Sequence, residues 1–211
     1  MTGLSRAPLV MPFHDPFLIL ASASPRRAEL LTAAGFQFNV SPVQVDESRL
    51  PNEPPAAYVQ RLAIAKASAI PQDGAGGVTL GADTVVVVGD DVLGKPSSDD
   101  DAAAMLRQLS DRTHEVLTGV AVRRGKALAT ETARTLVRFS RLSNEEIAWY
   151  VRSGEPWGKA GAYAIQGVAS RFVEGIEGSY SNVVGLPVSV VYRLVRAVSG
   201  SANAATSPPR D

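Results

Sequence analysis

Cysteine is absent from all 211 residues, which excludes disulfides, thiolate nucleophiles and cysteine-ligated metal. Histidine is scarce: His14 and His114 stand far apart, form no zinc-type pattern, and read as ordinary surface or core side chains. Net charge is lacking too, with 21 basic against 21 acidic side chains. No global field therefore draws nucleic acid or an anionic membrane, and no basic stripe is interleaved with the sparse aromatics, so anions must be held by a local cluster. The apolar run Phe17 to Ala21 is far too short to span a bilayer, and no long apolar leader with a cleavage signature precedes it. With the missing cysteines, this suits a protein of the reducing cytoplasm. A G-x-x-x-x-G-K-[ST] loop is also missing, so a Walker-type ATPase is unsupported.

What is present suits one α/β domain with a sizeable core. Hydrophobic residues make up 45% and charged residues 20% of the chain, both ordinary for a globular protein. Residues 1–16 read as a flexible extension, and 199–211 as a disordered tail of small, polar and proline residues that cannot bury a core.

The most informative stretch is Leu18 to Arg27, LILASASPRR. Leu18 to Leu20 are short and apolar enough for a buried strand; Ser24 is placed to cap a helix, and Pro25 suits its first turn. Unpaired N–H groups at such a helix start attract anions, and Arg26 and Arg27 add fixed positive charge in the same turn. Polyphosphate is the natural guest, although Ser-Pro alone equally marks an ordinary helix entry with solvated arginines.

Further along, Phe38 to Val45 reads as a second extended segment and 54–70 as a helix with Tyr58, Leu62, Ala65 and Ala69 on its apolar face, Arg61 and Lys66 lying off it. Pro71 to Gly77 is a loop. Val78 to Val88 is a β-branched strand, followed by a turn and a short return over Val92 to Pro96. Ser98, with Asp101 completing a capping box, starts a helix to Leu109. A hairpin joins 115–122 to 127–139, its register open; Ser143 and Glu146 open another helix, with Ile147, Tyr150 and Val151 on its apolar face. Glu155 to Gly167 has the composition of a binding loop, Phe172 to Ile176 that of a strand, Gly178 to Leu186 that of a loop, and Pro187 to Val198 that of a closing helix.

Asp83 sits inside the apolar strand, where a carboxylate costs several kcal/mol without a partner, so it faces a site or the strand's exposed mouth. The hairpin return can fold Lys95 back beside it. Glu47 offers a second carboxylate, and one or two suffice for a magnesium-like ion that keeps water and substrate phosphates as ligands. Lys66 and Lys159, each taken alone, read as solvated. Gln166 offers a donor and an acceptor suited to a base edge or a ribose, and Ser179 to Asn182 suit either loop hydrogen bonding or substrate contact.

In this order, Leu20 to Arg27, Asp46-Glu47, Ala65-Lys66-Ala67, Gly81-Ala-Asp-Thr84, Gly94-Lys-Pro96, Thr118-Gly-Val120, Lys159 to Gly167 and Ser179 to Pro187 resemble the motifs of the Maf family of nucleoside triphosphate pyrophosphatases, over about residues 17–198. The resemblance implies an α/β fold with a mixed, elongated, twisted sheet flanked by helices, and two lobes around a central cleft, as in inosine triphosphate pyrophosphatases. It implies hydrolysis of a nucleoside triphosphate to the monophosphate and pyrophosphate with a divalent cation, magnesium or manganese. Carried over by motif, Asp83 is the acidic catalytic residue and proton acceptor, and Ser22, Arg27, Glu47, Lys66 and Lys95 are the other cleft residues. A homodimer is in keeping with the family.

The subgroup preferring 7-methyl-GTP has tryptophan, glutamine and glutamate where this chain has Arg26, Thr84 and Gln166. Tryptophan stacks on a cationic purine, whereas a neutral glutamine suits uracil or thymine. The chain resembles the dTTP/UTP subgroup. The mechanism expected is metal placement by Asp83 with Glu47, water attack at the α-phosphorus, and charge stabilisation by Arg27, Lys66 and Lys95. The alternatives are a nucleotide-sensing or septum-associated binding protein with incidental hydrolysis, or a 7-methyl-GTP pyrophosphatase; a binding module's phosphate grip needs no acidic group beside it, so Asp83 favours an enzyme.

Overall fold

A computed structural model describes residues 16–72 and 77–204, the last four as backbone only. His14, the N-terminal extension, most of the 71–77 loop and the end of the tail lie outside the described residues.

Strand β1 (Leu18–Leu20) leads into helix α1 (Pro25–Ala33), and strand β2 (Phe38–Val40) returns beside β1 in parallel. Helix α2 (Pro55–Ser68), strand β3 (Val78–Val88) and the short β4 (Asp91–Leu93) follow. Then come helix α3 (Asp99–Leu109), the hairpin β5 (Thr113–Arg124) and β6 (Ala127–Phe139), helix α4 (Asn144–Arg152), strand β7 (Val173–Glu177) and helices α5 (Tyr180–Val184) and α6 (Val188–Ala204). The seven strands form one mixed sheet in the order β2-β1-β3-β5-β6-β7, with β4 also pairing to β3.

Several sequence expectations need correction. Strand β2 stops at Val40 rather than Val45, because β1 ends at Leu20 and Ser41 N–H makes the last contact with it, to the Leu20 carbonyl; Pro42 then has no N–H to offer. Asp101 bonds Ser97 N–H and hydroxyl instead of closing a box on Ser98, whose side chain still caps Asp101 N–H. The Ser143–Glu146 box is complete. Gly178 to Leu186 is not all loop: Ser179 caps the short α5. Helix α6 continues past Val198 to Ala204. Ser24 has the extended backbone of an N-cap but makes no side-chain cap. The hairpin register is now defined by Arg124 opposite Ala127, with Gly125 at φ 58° in the turn.

Two cores share one face of the sheet. Leu80, Ala82, Val120 and Val122 pack with Leu186, Val190, Val191 and Val195 in one. Val86, Val88 and Val116 pack with Leu106, Leu109, Ile147 and Phe172 in the other. Even-numbered residues of β3 point to this face, so Thr84 lies at the seam between the two lobes. The opposite face is covered by α2. Its buried stripe is Val59, Leu62, Ala63, Lys66 and Ala67, not the Tyr58, Leu62, Ala65, Ala69 face expected, and Lys66 joins it in the helix's last turn.

Candidate active site

The cleft forms where the edge of β3 is bare. Strand β1 covers it as far as Leu80, and β4 takes over only at Val86. Between them Ala82 to Val85 lose their edge partner, so side chains from both faces of β3 border one opening: Asp83 on the α2 side and Thr84 on the other.

Helix α2 approaches β3 and β5 closely because glycine lies beneath it. A Cβ at Gly81 would stand 2.2 Å from the Ala63 carbonyl oxygen, and one at Gly119 2.3 Å from that of Val59. Gly119 is paired with Asp83 across the sheet, so this contact brings the helix down over the carboxylate. Lys66, buried in the last turn of the helix, donates to Asp83 Oδ1 at 2.7 Å and pairs with Glu47 Oε1 at 2.6 Å. Its ammonium thus bridges the two acids. Burial opposes ionisation of Glu47, but the Lys66 hydrogen bond and charge, then Lys95 and Arg27, hold its carboxyl below the usual range.

Arg27 is buried and heavily engaged. Nε donates to the Gly185 carbonyl at 2.9 Å, Nη1 to Ser22 Oγ at 3.0 Å and the Ala82 carbonyl at 2.8 Å, and Nη2 to Thr84 Oγ1 at 3.1 Å. A guanidinium has five N–H donors, so little remains for a ligand. Burial pulls Arg27 below its usual pKa, and the charge of Asp83 is the largest influence opposing this. Thr84 also shares a hydrogen bond of 3.0 Å with Thr118. Arg26 is freer, reaching the Val184 and Gly158 carbonyls only at 3.4 Å.

A cavity of about 270 Å³ gathers these groups. Of the residues singled out in the sequence, Ser22, Arg26, Arg27, Lys66, Asp83, Thr84, Lys95 and Gln166 line it. Glu47 borders it through Lys66. Lys159 lines it too, its ammonium tied to the Glu155 carbonyl at 2.5 Å; burial, then Arg26, lowers its pKa. Sequence reasoning missed the role of Glu155, whose carboxylate accepts from Tyr150 hydroxyl and from Val168 and Ala169 N–H, folding the loop that carries Gln166. It also missed Tyr163, which lines the cavity and bonds the buried His114 Nε2 at 2.9 Å. Asn182 has no substrate-facing role; it binds the Val116 carbonyl and Thr135 inside the protein. Among the described residues, no group of three or more His, Cys, Asp or Glu gathers as a metal cage, and no helix is long and apolar enough to cross a membrane.

Residues 17–198 match the family described as Maf-like protein. The chain is 53% identical over 185 residues to the dTTP/UTP pyrophosphatase of Anaeromyxobacter dehalogenans strain 2CP-1, covering 86% of this chain and 93% of that one. It is 51% identical over 179 residues to the protein of the same name from Koribacter versatilis, covering 85% and 93%. Among solved structures, a HAM1 protein from Coxiella burnetii superposes with a TM-score of 0.45 at 14% identity, covering 88% of this chain and 99% of that one. The Staphylococcus aureus Ham1 protein gives 0.41 at 13% identity, over 58% and 71%.

Proposed function

The chain belongs to the Maf family, and from that premise we propose that it hydrolyses dTTP and UTP to the nucleoside monophosphate and pyrophosphate. The observation that carries the reading is the charge arrangement of the cavity. In a chain of zero net charge, Arg26, Arg27, Lys66, Lys95 and Lys159 line one wall system against Asp83 and the bordering Glu47. Such a surplus of cations suits a triphosphate.

Water adds to the α-phosphorus as the bond to the α,β-bridging oxygen breaks and pyrophosphate departs. Lys66 occupies Oδ1 of Asp83, and the other carboxylate oxygen accepts the proton of the attacking water. Lys95 and the arginine-bearing first turn of α1 stabilise charge on the departing group. Arg27 acts chiefly by shaping the cleft, since its bonds fix Ser22, Thr84 and the Gly185 carbonyl.

A magnesium or manganese ion would be held by Asp83 and Glu47 through the hard carboxylate oxygens that the Lys66 ammonium, paired with Oδ1 of one and Oε1 of the other, leaves open. When bound, the ion would neutralise triphosphate charge and polarise the phosphorus. For the base, the Gln166 amide has no protein hydrogen-bond partner among the described residues and can pair with the mixed donor and acceptor edge of uracil or thymine. Thr84, pinned by Arg27 and Thr118, closes the pocket rather than pairing with the base. We place the reaction in the cytoplasm, where these nucleotides are used.

The test is a release assay on UTP, dTTP and 7-methyl-GTP that measures pyrophosphate and orthophosphate separately. Pyrophosphate should appear from the pyrimidine nucleotides much faster than from the methylated purine. Gln166→Glu should narrow that ratio, since a carboxylate loses the amide's donor. Release of orthophosphate alone, or preference for 7-methyl-GTP, would reject the reading.

A further inference from the structure

Glu47 sits in a segment without helix or strand, and its side chain is about half exposed (51%). Its placement against Lys66 therefore depends on what holds the backbone. Helix α2 does so from outside the cavity. The Tyr58 hydroxyl donates to the Glu47 carbonyl at 2.7 Å, and Arg61 Nη2 donates to the Ser48 carbonyl at 3.0 Å. The same guanidinium binds both carboxylate oxygens of Glu53, through Nε at 2.6 Å and Nη2 at 2.8 Å. Glu53 in turn accepts from Leu50 N–H at 3.1 Å, and Arg49 binds the Glu53 carbonyl at 2.6 Å. The Glu53 side chain is only 8% exposed, so the pair is anchored on the protein and not waving in solvent. The Arg61 guanidinium also lies over the Tyr58 ring, 5.5 Å from its centre.

None of Tyr58, Arg61 and Glu53 lines the cavity. Yet Tyr58, Arg61 and Lys66 belong to one helix, so the element that delivers the lysine to Asp83 also sets the height of the Glu47 backbone. A forked, two-point contact fixes direction as well as distance. We propose that the Arg61–Glu53 pair, with Tyr58, is a positioning device that holds Glu47 on the Lys66 ammonium and so completes the acidic wall used for hydrolysis. This rests on the reaction proposed above. These residues touch neither nucleotide nor reacting atoms; they act through Glu47.

The experiment is a double-mutant cycle read by steady-state UTP hydrolysis, using Arg61→Gln, Glu47→Gln and their combination. Misplacing a working group by a fraction of an ångström suffices for a loss of about tenfold in kcat in Arg61→Gln, with KM for UTP expected to change less than about threefold. In the Glu47→Gln background the same change should alter kcat by less than about twofold, because the group being positioned is gone. Tyr58→Phe removes one oxygen and leaves the Arg61–Glu53 pair intact, so it keeps the test usable if Arg61→Gln does not fold. It should lower kcat by about threefold, again only when Glu47 is present. Equal losses in both backgrounds, or an undiminished kcat in folded Arg61→Gln or Tyr58→Phe, would overturn the positioning role. Failure of the unmodified chain to release pyrophosphate from any nucleotide would overturn the reaction itself and this role with it, a result read before any variant is made.

Discussion

Asp83 is 13% exposed, and one of its oxygens is occupied by Lys66. Asparagine there keeps nearly the same shape and can still accept from the ammonium, while Glu47 retains its own contact of 2.6 Å with the lysine. The fold should therefore survive, and what disappears is the charge and the proton-accepting oxygen. Asp83→Asn is expected to lower UTP turnover by roughly two to three orders of magnitude, the scale for losing one essential polar group in a catalytic site. Circular dichroism and a melting curve check folding alongside the rate. Near-normal turnover in a folded variant would remove Asp83 from the chemistry. Arg27 teaches the complementary lesson. Its place after the strand suggested a direct phosphate grip, but the donors directed at Gly185, Ser22, Ala82 and Thr84 make it a strut between α1, β3 and the loop before α6.

At the scale of elements, the decisive contact is α2 against β3 and β5. The atoms a Cβ at Gly119 would meet are the Val59 carbonyl carbon and oxygen and the Gln60 nitrogen, all backbone, so no side-chain rotation can relieve the clash. Gly119→Ala must push the helix away from the sheet. Overpacking of this kind costs about 1–3 kcal/mol, and the same movement lifts Lys66 from Asp83. We expect a lower urea midpoint together with a fall in kcat of more than about tenfold; unchanged values of both would mean the helix does not rest on that glycine. Much of the architecture was legible beforehand, because β1, α1, β3, α4 and their turns have strong local signals: apolar runs, Pro25, the Ser143–Glu146 box. The burial of Lys66 was not. A lysine read along its own helix looks solvated; the family resemblance alone put Lys66 in the cleft, and it is the glycines at 81 and 119 that let the helix lie against a carboxylate. The anchoring of Glu47 escaped for the same reason, since it depends on Arg61 and Glu53 meeting across a loop that has no periodicity to read.

For the whole molecule, the acid limb of stability should report on a group buried in one lobe. His114 is 1% exposed, lies edge-on to Phe139 and Tyr163, and has no partner for Nδ1. Burial lowers its pKa from 6.5 to about 4. The unfolded chain therefore binds a proton near pH 6.5 that the folded protein refuses until about pH 4. Where the unfolded state binds more protons, stability falls as pH falls. The contribution is fully present above pH 6.5, declines between 6.5 and 4, and is worth about 3 kcal/mol by linkage. Glu53 adds a second, lower window. Its carboxyl is pulled down to about 2, first by the Arg61 hydrogen bond, so its stabilisation is present above the ordinary carboxylate range and is lost as pH drops through about 2. Urea unfolding at a series of pH values separates the two. His114→Gln, which removes the titrating ring while keeping an amide able to reach the Tyr163 hydroxyl, should have lower stability at pH 8 and a flatter dependence between 6.5 and 4. Below that window its curve should run parallel to that of the unmodified protein, because the Glu53–Arg61 pair is untouched. If both proteins lose stability equally steeply from pH 6.5 to 4, the acid sensitivity of the fold does not originate at His114.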